Sequence, residues 1–472
     1  MKKRILACIL AAIMLLSATA CGTTTETPQD TKAPSAETEV ETSYKPDIAK
    51  NDYQDEFNIA TVHDKDMILV EKTSGEPLLD AVYERAVNIK DHLGVDLKLL
   101  DAGDWIQLPE NIKRSVMTGD DTYQLGMTHV YQGLTDLITS NSLYDYGEFD
   151  AVNLDAPYWA GELMEEVKIG DKYLMGHGDF FLTDAHCILF NKDMLEEYRL
   201  ESPYALVDNK EWTLAKFMEM ASTVAVNTGD SAWDNKDTYG LTGWGWVYLI
   251  DFITSSNMKI VEQDENGYYA IAYEQQGEKM SDLVEIMFEL YNAQYTFFWK
   301  SWDQGNDNLT IDFADKTSLF AFYNTSSLSN LRGEDIRFGV LPYPMYDAKQ
   351  KEYKTLNWSG MMVVPSVIKN PDMVGEVLEL LGYYTAPVKT AYYEELLGQK
   401  IANAPEDAKM LELIWDTLVS DIGLITCNSS QSMDDLVYMI PKLCESGNNT
   451  YSSYVQRKTR SAQGALDKVF GQ

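Results

Sequence analysis

The chain has 472 residues, of which 45% are hydrophobic and 11% aromatic, and this composition excludes a disordered protein and suits two or three globular domains. With 38 basic and 74 acidic residues the formal net charge is −36, which argues against nucleic acid or anionic lipid as partners. The five cysteines and five histidines form neither a disulfide framework nor a zinc-ligand spacing, and whether Cys427 and Cys444 pair stays open.

Residues 1–21 have the order of a secretory signal peptide. A basic start from Lys2 to Arg4 precedes an apolar run from Ile5 to Leu16, too short to span a bilayer, and small residues lead to Cys21. A cysteine directly after small residues resembles a bacterial lipobox, in which Cys21 is lipidated and becomes the mature N-terminus. Ordinary cleavage to a free secreted protein is the alternative.

Residues 22–56 are rich in Thr, Glu, Pro, Ser and Asp and nearly lack large apolar side chains. Such a segment cannot bury a core, so we expect a solvated, disordered tether between Cys21 and the folded body. The signal, the acidic tether and the tyrosine-rich composition predict a protein lipid-anchored on the extracellular face of the cell membrane of a Gram-positive bacterium.

The folded part begins with strands that alternate with helices. Strands are predicted from Phe57 to Val62, from Val95 to Leu100 and from Tyr123 to Val130, with helices from Leu79 to Leu93 and over 106–117. This alternation predicts parallel βαβ units, in which ligands bind at the carboxyl ends of the strands. The residues directly after the strands are therefore the ones to consider for ligand contact: His63, Asp64, Asp104, Trp105, Tyr131 and Gln132. Of these, Trp105 is expected to be structural, as is Trp159.

A second α/β part begins near residue 186. Further strands are predicted at His186 to Phe190, Phe338 to Leu341 and Met361 to Val364. Helices are predicted after four capping residues: Asn191, Thr213, Asp282 (paired with Glu285) and Asn370. From about residue 405 the chain is predicted to be mostly helical, and Trp212 is expected to pack beneath the helix that Thr213 caps.

Short motifs follow one another along residues 57–470: Val116 to Leu125 (VMTGDDTYQL), Leu154 to Trp159 (LDAPYW), Ile169 to Leu174 (IGDKYL), Ile188 to Asp193 (ILFNKD), Pro203 to Thr213 (PYALVDNKEWT), Tyr239 to Leu241 (YGL) and Phe338 to Pro342 (FGVLP). In their order, spacing and position behind a lipobox they resemble the extracellular solute-binding proteins of family 1. These are the sugar-type receptors of ABC importers, related to the maltose- and oligosaccharide-binding proteins.

The resemblance implies an α/β, two-lobed periplasmic-binding-protein-like fold with a hinge and an interlobe ligand cleft. The chain would cross between the lobes near Asp179 to Cys187, near Thr355 to Gly360 and near 395–405. The expected parts are 1–20 signal peptide, 21–56 lipidated cysteine and tether, 57–184 first part of lobe 1, 185–354 lobe 2, 355–400 return to lobe 1, and 401–472 C-terminal helical segment, mostly in lobe 2.

A sugar site needs flat aromatic platforms with carboxylate and amide groups around them. Candidate rings are Tyr131 after the third strand, Trp244 and Trp246 among glycines, Trp302 after an apolar run, and Trp358 at the second crossing. Packing in a lobe's core is the alternative for each ring.

The resemblance adds three candidates. Asp184 stands where the maltose receptors place a hinge carboxylate that binds sugar. Tyr323 and Asn324 stand where those receptors carry an aromatic-rich passage, although this sequence lacks its Trp.

The family also implies what the protein does: it captures a carbohydrate, closes like a hinge and delivers the ligand to an ABC permease, as a monomer without cofactor or metal. A ligand-presenting subunit of a surface sensor is the alternative, and a secreted glycoside hydrolase a weaker one. No G-x-S-x-G or phosphate-binding glycine loop is present. His186 and Cys187 are expected on opposite faces of a strand, which excludes a catalytic pair.

Overall fold

The computed structural model describes residues 44–62, 65–180, 185–229, 233–234, 236–265, 267–299, 313–331, 334–398 and 405–472. The predicted signal peptide, the lipidation site Cys21 and the two candidate ligand residues Asp184 and Trp302 lie outside these ranges.

Thirteen strands form within the described ranges: β1 (Asp55–Thr61), β2 (Val95–Leu100), β3 (Leu125–His129), β4 (His186–Asn191), β5 (Tyr239–Trp244), β6 (Val261–Gln263), β7 (Tyr269–Ile271), β8 (Thr296–Trp299), β9 (Ser318–Asn324), β10 (Phe338–Leu341), β11 (Thr355–Leu356), β12 (Gly360–Val363) and β13 (Leu418–Val419).

The α-helices of the same ranges are α1 (Lys65–Ile68), α2 (Pro77–Leu93), α3 (Gln107–Thr118), α4 (Leu134–Thr139), α5 (Gly161–Glu166), α6 (Lys192–Glu197), α7 (Pro203–Asp208), α8 (Leu214–Ser222), α9 (Asp251–Ser255), α10 (Gly277–Asn292), α11 (Pro371–Tyr383), α12 (Ala386–Gly398), α13 (Pro405–Asp416), α14 (Ile422–Ile425), α15 (Gln431–Val437), α16 (Met439–Ser446) and α17 (Tyr451–Phe470). Short 3-10 helices lie at Tyr146–Glu148, Val247–Leu249, Thr325–Leu331 and Cys427–Ser429. None of the helices in the described ranges is long and apolar enough to cross a membrane.

Lobe 1 is built on a four-stranded sheet of order β12-β3-β1-β2. β1 pairs in parallel with β2 and β3, while β12 runs antiparallel to β3. The helices α2 and α11 cover this sheet with apolar side chains spaced three or four residues apart, which include Val82, Ile89, Leu93, Val374, Val377 and Leu381. The βαβ units predicted from the alternating pattern are therefore confirmed.

Lobe 2 is built on a five-stranded sheet of order β10-β4-β9-β5-β8. β5 pairs in parallel with β8 and β9, and only β4 runs antiparallel to its neighbours β9 and β10. Its core is aromatic, and Trp212 lies there fully buried with its indole Nε1 donating to the Pro342 carbonyl oxygen at 2.9 Å. The predicted packing of Trp212 beneath α8 is confirmed.

The two sheets are joined by short extended segments. After β10 the chain returns to lobe 1 through β11, which pairs in parallel with β13 of the C-terminal segment. Asn357 then forms a bridge with Ala185, and Met362 forms one with Gly176. The segments that leave and re-enter lobe 1 thus run antiparallel beside each other, at the position predicted for the second crossing.

Most sequence-predicted elements are confirmed, but one helix start is wrong. α10 begins at Gly277, not at the expected cap Asp282. Asp282 and Glu285 lie on the exposed face of its second and third turns, while Leu283 and Val284 are buried. The capping-box pattern here is an ordinary solvated helix face, because the buried stripe already includes Met280.

The end of the predicted tether is not free of the body. The Tyr53 amide donates to the Leu93 carbonyl at 2.8 Å, and the Tyr53 hydroxyl donates to Glu376 at 3.0 Å. The expectation of a solvated tether up to residue 56 is wrong for residues 44–56, because tyrosines find buried and half-buried acceptors on lobe 1 and β1 already begins at Asp55.

The three cysteines of the described ranges, Cys187, Cys427 and Cys444, are all buried. The Cys427 thiol donates to the Tyr131 carbonyl and the Cys444 thiol to the Met287 carbonyl. The pairing of Cys427 with Cys444 that the sequence left open is therefore not formed.

The buried Asp421 predicts a pH dependence of stability. Its carboxylate accepts backbone N–H groups of Ile260, Val261 and Gly423, but burial raises its pKa from 3.8 to about 6. The folded state therefore binds this proton more tightly than the unfolded state, so stability from this group is present below pH 3.8 and is lost as the pH rises through 6.

We expect the Asp421→Asn variant, which keeps an acceptor oxygen but cannot titrate, to lack this component. Between pH 4 and pH 7 the free energy of unfolding of the wild type should fall by about 2 kcal/mol relative to the variant. Urea unfolding of both proteins across this range measures the difference, and parallel pH profiles would contradict the prediction.

Candidate functional site

In each of the two sheets, the parallel strands end at one edge. In lobe 2 the parallel strands β5, β8 and β9 end at Trp244, Trp299 and Asn324, and the antiparallel β4 begins beside them at His186. In lobe 1, β1, β2 and β3 end on the same side at which β12 begins. Because ligands of open α/β sheets bind at the carboxyl ends of parallel strands, these edges are the expected place for a site.

Trp358 lies between the two edges. It follows β11 in the hinge, and its ring stacks on His186 of lobe 2 with centroids 5.3 Å apart and an interplanar angle of 29°. On the lobe 1 side the same ring lies 5.4 Å from Tyr131 and 5.7 Å from His129. Only 7% of Trp358 is exposed, so one indole ring contacts side chains from both lobes.

Tyr131 extends this aromatic surface towards solvent. Its ring lies 4.3 Å from His129 and 6.1 Å from Trp105, and Trp105 is 38% exposed. The Tyr131 carbonyl accepts the amide of Asn428 at 2.7 Å, which attaches the lobe 1 edge to the C-terminal segment. Burial raises the pKa of the Tyr131 hydroxyl to about 12, so this hydroxyl is neutral and available for hydrogen bonding at neutral pH.

His186 has a buried acidic partner. Its Nδ1 lies 2.8 Å from Oδ2 of Asp251, the first residue of α9, and both side chains are 2% exposed. Burial raises the pKa of Asp251, whereas the charge and hydrogen bond of His186 act in the opposite direction. Tyr248 also lies near this imidazole, at a centroid distance of 4.5 Å from His186.

Two tryptophans from the glycine-rich passage also lie on the lobe 2 side. Trp246 stacks on Tyr438 of the C-terminal segment at 5.6 Å and 19°. Trp244 ends β5 in register with Trp299 at the end of β8. Both Trp244 and Trp246 are half-buried, so each ring retains exposed surface.

The structure therefore brings together some of the predicted residues. Trp358 and Tyr131 are in ring contact, and Trp105, for which a structural role is expected from the sequence, lies beside Tyr131. Trp244 and Asn324 lie at the lobe 2 edge, Asn324 directly opposite His186. Asp184, Trp302, His63 and Asp64 lie outside the described residues, so their place in the site stays a prediction.

Tyr323 lies differently. It pairs with Cys187, so it shares the sheet face opposite to that of His186 and Asn324. The residue is 2% exposed, and its hydroxyl lies 3.2 Å from the Ser327 carbonyl. The same register places the side chains of His186 and Cys187 on opposite faces of the sheet, as expected for neighbours on a strand.

Four ring-bearing residues of this cluster were not singled out from the sequence: His129, His186, Tyr248 and Tyr438. His186 had a local signal, because it opens the strand that leaves the hinge. Tyr438 had none, since it is distant in sequence from Trp246 and lies in a segment predicted only as helical.

A separate cavity of about 820 Å³ lies between α5 and the β11–β13 pair. Its lining includes Trp159, Glu165 and Glu166 of lobe 1, and none of its lining residues comes from the facing sheet edges. Two of its carboxylates already have partners, since Glu166 pairs with Lys259 at 3.2 Å and Glu165 accepts the Tyr173 hydroxyl. We assign it no part in the site.

Within the described residues no group of His, Cys, Asp and Glu side chains could hold a metal ion. Burial raises the pKa of the Cys427 thiol, next to Tyr131, to about 12, so this thiol is not a nucleophile at neutral pH. The cluster instead offers flat rings bordered by amide and hydroxyl groups, which suits the binding of a polar ligand with apolar faces.

No protein-family model matches the sequence, and no curated protein matches it. Solved structures do match. The sugar-binding protein MalE from Xanthomonas citri has 12% identity and a TM-score of 0.61, covering 88% of this chain and 99% of that chain. The galacto-N-biose-/lacto-N-biose I-binding protein of the ABC transporter from Bifidobacterium longum, in complex with lacto-N-biose, has 12% identity and a TM-score of 0.60, covering 90% and 98%.

UgpB from Mycobacterium tuberculosis, in complex with glycerophosphocholine, matches with 14% identity and a TM-score of 0.54, covering 88% of this chain and 98% of that chain. All three alignments span nearly the whole neighbour, so the likeness includes both lobes and the hinge. The chain therefore has the two-lobed α/β fold of the solute-binding proteins of ABC transporters.

Proposed function

We propose that this protein is an extracellular solute-binding protein of family 1 that captures a carbohydrate and delivers it to an ABC-type importer. The observation that carries the proposal is the position of Trp358, a hinge residue whose ring contacts His186 of lobe 2 and Tyr131 of lobe 1. A platform that touches both lobes gives a ligand differential affinity for the closed form, and occupancy then shifts the population towards closure.

The aromatic lining supports the carbohydrate class. Trp105, Tyr131 and Trp246 provide flat apolar surfaces that retain exposure, with the ring of Trp358 packed against Tyr131, and Asn324 provides an amide at the same edge. A sugar ring has an apolar face and a hydroxyl rim, which such a surface complements. Two of the solved neighbours, MalE and the lacto-N-biose I-binding protein, are named as sugar-binding proteins, and we propose an oligosaccharide as the ligand.

The order of the first 21 residues supports export and a lipid anchor at Cys21. In this proposal the receptor is a monomer held on the extracellular face of the cell membrane, and its partner is a membrane permease complex. It needs no cofactor and leaves the sugar chemically unchanged, so it is not an enzyme.

A thermal-shift screen of residues 44–472 tests the proposal. The panel contains maltose, lacto-N-biose, acarbose, tagatose and, as the non-sugar, glycerophosphocholine. We expect at least one sugar, at 100 times its dissociation constant, to add about 2.7 kcal/mol of stability, a shift of a few degrees. Chromatography of the same mixture should recover the sugar intact.

Two results would contradict the proposal. A shift with glycerophosphocholine alone would move the ligand class away from sugars while leaving a receptor in place. Release of a cleaved sugar in the incubation would indicate a hydrolase instead.

A further inference from the structure

The pair of His186 and Asp251 lies directly beneath the hinge tryptophan. The imidazole is close to two rings, with Trp358 at 5.3 Å and Tyr248 at 4.5 Å, and its Nδ1 lies 2.8 Å from the carboxylate. Three independent contacts therefore fix both the position and the plane of this one side chain.

General stability does not explain such a pair. Burying a carboxylate and an imidazole has a desolvation cost that an apolar pair of similar volume avoids. For Asp251 that cost is only partly offset, because its second oxygen, Oδ1, is buried and has no hydrogen-bond partner among the described residues. A group kept in an incompletely satisfied state suggests a role in orienting its neighbour.

The neighbour that the pair orients is Trp358. Trp358 contacts lobe 2 through its stack on the His186 imidazole, in which the two ring planes meet at 29°. On the other side the indole meets Tyr131 at 32° and His129 at 78°. Turning the imidazole would therefore turn the platform relative to the lobe 1 edge.

We propose that Asp251 and His186 are positioning residues that hold Trp358 in the orientation in which it receives the ligand. This inference rests on the proposed function. Asp251 accepts the N–H of Nδ1 and sets the plane of the imidazole, which then sets the plane of the indole. Affinity gains from this arrangement because the platform is already ordered before the ligand arrives.

Fluorine NMR of the ligand-free, fluorotryptophan-labelled protein tests the inference without any ligand. The Trp358→Phe variant identifies the resonance of Trp358. We expect this resonance to shift or broaden in His186→Gln and in Asp251→Leu, which remove the imidazole and its acceptor. It should stay in place in Asp251→Asn, which retains a carbonyl oxygen for the Nδ1 proton.

His92→Gln is the matched control, because His92 is a hydrogen-bonded histidine of lobe 1 whose Nε2 lies 2.9 Å from the Ile48 carbonyl, away from Trp358. Circular dichroism establishes that each variant is folded. If His186→Gln does not fold, the comparison of Asp251→Leu with Asp251→Asn decides. An unchanged Trp358 resonance in Asp251→Leu and in folded His186→Gln would overturn the inference.

A second measurement uses the sugar of the screening panel that stabilises the wild type most. We expect its Kd to rise about tenfold in His186→Gln and in Asp251→Leu, the loss of one oriented aromatic stack. Unchanged Kd values would overturn the inference while the proposed function stands. If no sugar binds the wild type, the proposed function fails, and the fluorine resonance alone decides whether the pair positions Trp358.

Discussion

Replacing Trp358 with alanine is expected to weaken sugar binding by at least about 30-fold, the loss of a central aromatic contact worth about 2 kcal/mol or more. The ring stacks on His186 and lies beside Tyr131 and His129, so its removal opens a space between the lobes where the ligand platform should be. Titration calorimetry with the sugar that gives the largest thermal shift measures the loss.

The same substitution should also lower the free energy of unfolding by about 3–5 kcal/mol, since an almost fully buried tryptophan leaves a large cavity. Trp159→Ala separates the two effects. Trp159 is 8% exposed, close to the 7% of Trp358, but lies in the core of lobe 1 with its Nε1 donating to Glu379. We expect this control to lose comparable stability and to keep its affinity at temperatures where it is folded.

Equal affinities of wild type and Trp358→Ala would remove Trp358 from the site. Equal losses in both tryptophan variants would mean that binding follows overall stability and not the hinge platform.

The fold could be predicted from local patterns because each pattern has a local physical cause. β2 begins and ends at Val95 and Leu100 as expected, and α2 ends before Gly94, whose φ of +67° favours glycine. Periodicity of buried side chains places such elements without knowledge of their partners. The start of α10 was missed because an exposed acidic pair looks the same inside a helix as at its cap.

Only those site residues whose position follows from the topology could be predicted from the sequence. Trp105 and Tyr131 follow strands of a parallel sheet, and Trp358 lies at the hinge, so strand order alone brings them to one edge. Asp251 is 65 residues from His186, and a contact over that distance leaves no local signature in one sequence.

Because side chains alternate between the two faces of a sheet, the sequence alone does not determine which residue of a strand faces the site. Tyr323 and Asn324 were both proposed as ligand contacts, but adjacent residues of a strand point to opposite faces. The register of β4 with β9 puts Asn324 opposite His186 and Tyr323 opposite Cys187. Only pairing, which the sequence does not contain, decides which of the two faces the site.

Among the carboxylates of lobe 1, Glu379 is expected to cause the largest loss of folding stability when it is substituted. It is fully buried on α11 and forms no ion pair with a described residue, yet it accepts four hydrogen bonds. The donors are the Tyr158 hydroxyl at 2.5 Å, the Trp159 indole N–H at 3.0 Å, the Asn153 backbone N–H at 3.1 Å and the Tyr44 hydroxyl at 3.4 Å. One side chain therefore ties the N-terminal segment and the loop before α5 to the helix.

Glu379→Ala should lower the free energy of unfolding by about 4 kcal/mol, because two buried and two half-buried donors lose their acceptor. Each loss costs about 1–3 kcal/mol, part of which water entering the space recovers. Glu379→Gln, which keeps one acceptor oxygen, should lose about half as much. The matched control is Glu376→Ala on the same helix. Among the described residues its half-buried carboxylate accepts one hydrogen bond, from the Tyr53 hydroxyl, and the loss of stability should stay below about 1 kcal/mol.

Urea unfolding followed by tryptophan fluorescence orders the three variants. If Glu379→Ala and Glu376→Ala lost the same free energy of unfolding, the four hydrogen bonds to Glu379 would stabilise the fold no more than the single hydrogen bond to Glu376. The expected order instead follows from burial, because an unsatisfied donor in the core of lobe 1 cannot turn to solvent, whereas the Tyr53 hydroxyl can.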